Sequence, residues 1–260
     1  MSRQRIDALL AERGLAPSRT SAAESVRAGR VRIGHDGPLA LKPSQLVDGD
    51  ADLLLTDAPP FVSRGGTKLA NALDALAIDV DGLDCLDVGA STGGFTDCLL
   101  QRGAARVIAL DVAHGQLDWG VRNDPRVTVI ERQNARDIDA SQLPYRPRLA
   151  AIDVSFISLA KVLPAVAACL TADGEVLAMV KPQFELGRGR VKGGVVRDPG
   201  ERREALRSVA GAAADAGLAV LGFASSGLPG PKGNEETFLH AAVGGEPLAD
   251  VEAAIAQVEP

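Results

Sequence analysis

Residues 84–96 read Asp-Cys-Leu-Asp-Val-Gly-Ala-Ser-Thr-Gly-Gly-Phe-Thr, a short apolar run followed by a glycine-rich segment. The apolar run has the length of a buried strand, and the glycines allow the backbone to approach a ligand closely. A helix that follows such a loop offers free N–H groups to the same ligand. The stretch therefore predicts a strand, a ligand-binding loop and a helix in succession.

Three kinds of ligand site use a loop of this type, and two of them lack a required residue here. A phosphate loop for nucleotide hydrolysis needs a lysine at the position of Phe95. A dinucleotide-binding fingerprint needs a glycine at the position of Ser91. The third, the D/E-x-G-x-x-x-G motif of class I methyltransferases, is matched by Asp87, Gly89 and Gly93.

A second carboxylate supports the methyltransferase interpretation. Asp111 follows Gly89 by 22 residues and ends the next predicted strand, where it can accept both hydroxyls of a ribose. Asn134, Ala135 and Asp137 follow the third strand, where this fold usually holds an adenine. The predicted cofactor is S-adenosylmethionine, and the residues predicted to bind it are Asp87, Gly89, Ala90, Ser91, Thr92, Gly93, Gly94, Phe95, Asp111, Asn134 and Ala135.

The sequence after residue 63 alternates between apolar runs of strand length and helical stretches. The runs lie at 84–89, 106–112, 127–130, 149–153, 175–180, 219–223 and 237–241. This alternation is typical of an α/β protein whose parallel sheet is covered on both faces. We therefore predict a class I (Rossmann-like) methyltransferase with a mainly parallel, doubly wound sheet of seven strands. The single tryptophan, Trp119, is expected to pack in its core.

Charged residues follow two of these strands. Asp153 ends the fourth strand and Lys181 ends the fifth, and the carboxyl ends of adjacent parallel strands form the ligand edge of such sheets. A buried lysine beside a carboxylate is rare unless both have a use. Lys68, which opens the first helix of this region, and Glu236, which precedes the last strand, could join them.

Composition excludes several classes of protein. The chain is 46% hydrophobic and 24% charged, and it lacks the run of about 20 apolar residues that a membrane span needs. It begins without an apolar leader, and its three cysteines form no CxxC pair. We therefore expect a cytoplasmic protein without a membrane association, a disulfide framework or a metal site.

The charge is unevenly distributed. Residues 1–42 contain eight basic and four acidic groups, so they carry +4 while the rest of the chain carries −10. The local pattern predicts a small α+β module: a helix with apolar Ile6, Leu9 and Leu10, a second helix at 19–28, a hairpin at 31–41 and a strand at 52–56. A basic module on an acidic chain indicates a partner that is an anion.

This N-terminal stretch resembles an S4 domain, a small RNA-binding module. The resemblance spans residues 3–56 and is carried by the runs 5–15, 18–19 and 27–33. The residues that we expect to contact RNA here are Arg5, Arg19, Arg27, Arg30 and Arg32. The basic, glycine-rich segment 187–194 is expected to add phosphate contacts through Arg188 and Arg190.

With all motifs together, the chain resembles the TlyA-type (haemolysin A) family of ribosomal RNA 2′-O-methyltransferases, which join an S4 domain to an FtsJ-like (RrmJ-like) catalytic domain. The matching runs are 62–68, 87–96, 153–158, 180–185 and 230–236. The resemblance implies cytidine as the target nucleoside and the catalytic tetrad Lys68, Asp153, Lys181 and Glu236. It also implies domains at 1–57 and 63–260 joined by a linker at 58–62, although Pro59-Pro60-Phe61-Val62 differs from the Arg-Ala-Trp-Val pattern of that linker.

The chemistry explains why such a tetrad is needed. A ribose 2′-hydroxyl is a weak nucleophile that must lose its proton as it attacks, and a desolvated lysine can take that proton or stabilise the oxyanion. The expected partners are ribosomal RNA or ribosomal subunits, and a monomer is favoured. Two other classes stay open at this point: a membrane-active haemolysin, and an RNA-binding protein without catalysis.

Overall fold

The computed structural model describes residues 3–27, 30–34, 37–56, 60–187, 189–230 and 232–259, and the chain divides into two compact units, residues 1–60 and 61–260. The first unit contains β1 (Arg3–Arg5), α1 (Ile6–Glu12), α2 (Arg19–Arg27), β2 (Val31–Ile33), β3 (Leu46–Asp48) and β4 (Leu53–Leu55). Its core is built from the apolar faces of both helices, with Ile6 and Leu10 fully buried.

The predicted hairpin at 31–41 is confirmed, because Arg32 forms an antiparallel bridge with Leu39, Ile33 N donates to the carbonyl oxygen of Pro38 at 3.0 Å and Ala40 N donates to that of Val31 at 2.8 Å. The other edge of β2 pairs antiparallel with β4, which lies within the strand predicted at 52–56. Ala40 packs in the core, whereas Leu39 and Leu41 are 42% and 87% exposed. The short strands β1 and β3, which also pair, were not predicted. The turn residues 35 and 36 lie outside the described residues.

The second unit contains a seven-stranded sheet. Its strands are β5 (Asp84–Val88), β6 (Arg106–Asp111), β7 (Val127–Glu131), β8 (Leu149–Ile152), β9 (Glu175–Val180), β10 (Leu218–Ser225) and β11 (Thr237–Val243). Its helices are α3 (Arg64–Ala75), α4 (Gly94–Gln101), α5 (Trp119–Arg122), α6 (Leu163–Cys169), α7 (Pro182–Glu185), α8 (Pro199–Asp215) and α9 (Val251–Val258).

The strand order is β10-β11-β9-β8-β5-β6-β7, with β11 antiparallel to both of its neighbours and the other pairings parallel. The predicted mainly parallel sheet of seven strands is confirmed. Successive side chains of a strand point to opposite faces, and both faces are covered. On β5, for example, Cys85 packs in one apolar core and Leu86 in the other, which explains why the strand reads as an unbroken apolar run.

The topology fixes where a ligand can bind. From β5 the chain adds β6 and β7 on one side and β8 and β9 on the other, so the direction of winding reverses between β5 and β8. Crevices beyond the carboxyl ends of strands at such a reversal are the usual ligand sites of open α/β sheets. Asp87, Asp153 and Lys181 all lie at this edge.

Candidate active site

The glycine loop that follows β5 approaches two other segments closely. Gly89 and Gly93 have positive φ angles of 91° and 94°, which favour glycine. A Cβ atom on Gly89 would lie 2.5 Å from the carbonyl oxygen of Asp153, and one on Gly94 would lie 2.9 Å from the backbone nitrogen of Gly66. The absence of side chains therefore lets the loop touch both the end of β8 and the start of α3.

Two carboxylates hold this loop in place through hydrogen bonds. Asp87 is fully buried, and its Oδ2 accepts hydrogen bonds from Thr96 N (2.9 Å) and Thr96 Oγ1 (2.6 Å). Asp111 accepts 2.7 Å hydrogen bonds from the backbone nitrogens of Ser91 and Ala113. Asp87 thus fixes the first turn of α4, and Asp111 ties the loop to the end of β6.

A cavity of about 380 Å³ opens beside the loop. The residues of the loop from Gly89 to Phe95 contribute most of one wall, and all four tetrad residues reach it: Lys68, Asp153, Lys181 and Glu236. Asp111 lines a smaller recess of about 10 Å³ that shares Ala90 and Ser91 with the cavity. The structure therefore brings together the loop and the four residues that the sequence singled out.

The tetrad forms two ion pairs. Lys68 and Glu236 are joined directly, and their side chains are only 8% and 2% exposed. Lys181 Nζ lies 2.5 Å from Asp153 Oδ1 and donates a 3.0 Å hydrogen bond to Ser155 Oγ. Because both lysines are shielded from water while facing the cavity, each can act directly on a polar group of a bound substrate.

Asn134 and Ala135 occupy a different kind of position. Asn134 Oδ1 accepts a 3.2 Å hydrogen bond from Arg136 N and so caps a short 3₁₀ turn, while Ala135 packs into the apolar core. Neither belongs to the walls of the cavity or of the recess. Their contact with an adenine stays a prediction.

The shape and polarity of the site fit S-adenosylmethionine. Helices α3 and α4 both begin at the cavity, and helix N-termini stabilise a carboxylate such as that of the cofactor's amino-acid end. The carboxylate of Asp111 in the adjoining recess suits ribose hydroxyls. Among the described residues, no cluster of His, Cys, Asp or Glu has the arrangement of a metal site.

Sequence reasoning missed three residues near this edge. Ser63 and Arg64 line the cavity, and the run 62–68 held the only available signal for them. Phe156 is 91% exposed, adopts a positive φ of 64° and contacts the ring of Phe184 at 5.1 Å between centroids.

The prediction that Trp119 packs in the core is wrong, since its surface is 78% exposed. Its neighbours Leu117 and Val121 point inward in its place.

Most of the arginines predicted to bind RNA have protein partners. Arg5 and Arg19 contact Asp7, Arg30 donates to Ser25 Oγ, and Arg32 donates to the carbonyl oxygen of Gly37. Arg27 is exposed at the end of α2. In the second unit, Arg190 is bound by both oxygens of Glu204, and Arg188 lies outside the described residues.

The sheet order, the glycine loop and the acid at the end of β6 define a class I methyltransferase fold, whose members use S-adenosylmethionine. A family model described as FtsJ-like methyltransferase matches residues 61–243, and an S4 domain model matches residues 4–52. The chain belongs to the FtsJ-like methyltransferase family and carries an S4 domain. No described helix has the length and apolar character to cross a membrane.

Curated relatives match most of the chain. The 16S/23S rRNA (cytidine-2′-O)-methyltransferase TlyA of Mycobacterium tuberculosis is 52% identical, over 91% of this chain and 89% of the relative. Hemolysin A of Brachyspira hyodysenteriae is 38% identical, over 91% and 98%. A solved structure of a hemolysin-like protein from Streptococcus thermophilus has a TM-score of 0.75 and 39% identity, covering 99% of this chain and 96% of that one.

Replacing Asp111 with alanine is expected to weaken the binding of S-adenosylmethionine by roughly 10- to 150-fold, because hydrogen bonds to a charged acceptor are lost. The same change frees the backbone nitrogens of Ser91 and Ala113, so the loop is also less well held. Calorimetric titration measures the effect. Replacing Asp118, which caps α5 further along the chain, provides a matched aspartate control. Unchanged affinity in the Asp111 variant would remove this residue from the site.

Burial raises the pKa of Asp87 to about 7 from an ordinary value of 3.8. The folded protein therefore binds this proton more tightly than the unfolded chain, and the contribution of Asp87 to stability grows as the pH falls from about 7 towards about 4. Relative to an Asp87→Asn variant, the ligand-free protein should be more resistant to urea at about pH 5 than at about pH 8. A difference that is independent of pH, or that grows as the pH rises, would contradict this assignment.

Proposed function

We propose that this chain transfers the methyl group of S-adenosylmethionine to a ribose 2′-oxygen of ribosomal RNA, with cytidine as the nucleoside. The observation that carries the proposal is the convergence of two lysine–carboxylate pairs, each with a buried lysine, on the cavity beside the glycine loop. The printed names of relatives from Mycobacterium tuberculosis and Campylobacter jejuni, both cytidine-2′-O-methyltransferases of ribosomal RNA, support the substrate. Such a substrate places the protein in the cytoplasm.

The cofactor supplies an electrophilic methyl group when it is bound. On the protein side, the N-termini of α3 and α4 would hold its carboxylate, and Asp111 would accept from its ribose. Lys181, in its uncharged amine form, would take the proton of the acceptor hydroxyl as the oxygen–carbon bond forms and the carbon–sulfur bond breaks, and the carboxylate of Asp153 would stabilise the resulting ammonium group. Ser155 keeps the lysine side chain directed towards the cavity.

The second ion pair positions the acceptor. Lys68 and Glu236 are nearly inaccessible to water, so a ribose that enters the cavity meets a fixed donor and a fixed acceptor. The Lys68 ammonium can donate to a ribose oxygen, while the Glu236 carboxylate can accept from a hydroxyl. Their rigidity would limit the orientations in which the ribose oxygen approaches the methyl group.

The reactive cysteine required for methylation of a pyrimidine carbon is missing from this edge of the described structure. Methylation of a pyrimidine carbon needs a nucleophilic cysteine, and Cys85, Cys98 and Cys169 are all buried within strands and helices. Burial also raises the pKa of the Cys85 and Cys98 thiols to about 12, which disfavours the reactive thiolate. The end of β8 provides Asp153-Val-Ser-Phe, a sequence suited to an alcohol acceptor.

We assign the RNA contacts outside the cavity to the S4 domain, with residues 1–57 as the RNA-binding module, residues 58–62 as the linker and residues 63–260 as the methyltransferase domain. The +4 charge of residues 1–42 supports this division, because the remainder of the chain is acidic. The basic groups locate the RNA, and the second unit performs the reaction.

The function is tested with purified protein, methyl-labelled S-adenosylmethionine and ribosomal subunits that lack the modification. We expect label in ribosomal RNA at a small number of cytidines, which primer extension at low nucleotide concentration locates. A parallel reaction with the Asp153→Asn variant serves as the control for catalysis. Label that is absent from RNA, or that enters RNA equally with this variant, would overturn the proposal.

A further inference from the structure

We propose that Asp7 is a positioning residue that holds the guanidinium groups of Arg5 and Arg19 side by side as a binding site for one phosphate group of RNA. The identity of that RNA as ribosomal rests on the proposed function, whereas the site itself does not. All three residues lie in the first unit, and Asp7 is the most deeply buried acid among the described residues of that unit.

The guanidinium groups of Arg5 and Arg19 both contact the carboxylate of Asp7. Arg5 Nε donates to Asp7 Oδ1 at 3.0 Å, and Arg5 Nη2 donates to Asp7 Oδ2 at 2.7 Å. Arg19 Nε lies 3.4 Å from the same Oδ2. Arg5 ends β1 and Arg19 begins α2, so a single carboxylate fixes two cations that belong to different elements.

The exposure of the three side chains indicates which of them faces a ligand. Asp7 is 4% exposed, whereas Arg5 and Arg19 are 44% and 58% exposed. The hydrogen bond from Arg5 keeps the pKa of Asp7 below its ordinary value, so the carboxylate is charged at neutral pH. The cluster carries one net positive charge, and the guanidinium N–H groups that Asp7 does not use remain available to solvent.

Such a site can bind two oxygens of one phosphate group. Two guanidinium groups repel each other, and a carboxylate beneath them offsets that repulsion while a phosphate above them is bound by several N–H donors. Arg13 offers a contrast within the same unit, because its guanidinium donates to the carbonyl oxygens of Gly49 and Ala51 and so serves the fold. Within the described part of the chain, neither Arg5 nor Arg19 donates a side-chain hydrogen bond to a backbone carbonyl oxygen.

Replacing Asp7 changes the affinity for RNA in a direction that distinguishes a positioning role from a simple effect of its charge. Removing an acidic group from a protein that binds RNA normally strengthens binding, because one unit of repulsion disappears. For Asp7→Asn we expect the opposite, a weakening of roughly 3- to 10-fold, since the two arginines lose the group that aligns them. Asp50→Asn is the matched control: it makes the same change of charge at an exposed residue of the same unit, and RNA should bind it at least as tightly as the parent.

Affinity is measured on the full chain with deproteinised ribosomal RNA over a series of salt concentrations, without any methyl transfer. A chain that binds RNA in this way but transfers no methyl group contradicts the proposed function alone. Binding by Asp7→Asn as tight as binding by Asp50→Asn overturns the positioning role. The lack of measurable RNA binding by the parent overturns the phosphate site.

A second set of variants distinguishes the loss of positioning from a general loss of folding. In a chain that carries Arg5→Gln and Arg19→Gln, the further change Asp7→Asn should not lower RNA affinity, because the groups it positions are gone. If Asp7→Asn weakens binding equally in both backgrounds, its effect is on the fold of the unit and the inference is wrong. Thermal unfolding of each variant accompanies the binding measurements.

Discussion

Replacing Lys181 with alanine is expected to slow methyl transfer by roughly 100- to 10,000-fold, the range over which a positioned general base contributes. The amine contacts Asp153 and Ser155, and Lys181 does not line the recess that contains Asp111, so the affinity for S-adenosylmethionine should stay close to that of the parent. The split between rate and cofactor affinity distinguishes a role in catalysis from a role in binding.

Single-turnover reactions with excess enzyme measure this effect, because product release then does not limit the observed rate. Lys161→Ala is the matched control, as Lys161 is an exposed lysine on a short 3₁₀ turn between the fourth and fifth strands of the sheet. A Lys181→Ala variant that methylates RNA at nearly the parental rate would remove this lysine from the mechanism.

Replacing Lys68 with methionine should both stop the reaction and destabilise the fold. The Glu236 side chain is 2% exposed, so the substitution leaves an uncompensated carboxylate in the protein interior. Breaking a buried ion pair from one side typically costs about 3–5 kcal/mol. Urea unfolding of the ligand-free protein measures the loss. A change of less than about 1 kcal/mol, the value of an exposed pair, would show that the pair is not buried in solution.

A second substitution distinguishes the loss of methyl transfer from the loss of stability. Adding Glu236→Gln to Lys68→Met removes the unpaired charge, so the double variant should recover stability relative to Lys68→Met. Methyl transfer should stay lost, because neither the donor nor the acceptor that orients the ribose is restored. Recovery of both properties would mean that the pair serves only the fold.

The fold was predictable because its signal is local. Strands β5, β8 and β9 are buried apolar runs. The loop that follows β5 needs glycine at positions 89 and 93, where φ is positive. The candidate site was predictable in its members, since Asp153 and Lys181 directly follow strands of a parallel sheet and therefore reach the same edge.

The sequence alone could not predict which side chains and which strands pair with each other. Lys68 and Glu236 are separated by 168 positions, and only the packed sheet brings them into contact. Strand β2 bridges to Leu39 on one edge and pairs with β4 on the other, and only the first of these pairings follows from a local turn. The exposure of Trp119 and Phe156 escaped prediction for the same reason, because the size of an aromatic ring favours burial unless tertiary structure directs it outward.

The most direct test of the central claim is the chemical position of the transferred methyl group. RNA labelled by the protein is digested completely with alkali, which cleaves every phosphodiester that follows a free 2′-hydroxyl. A methyl group on the ribose 2′-oxygen blocks that cleavage, so we expect the label in an alkali-resistant dinucleotide whose first residue is cytidine. Label recovered in mononucleotides would place the methyl group on a base and would overturn the assignment of a ribose acceptor.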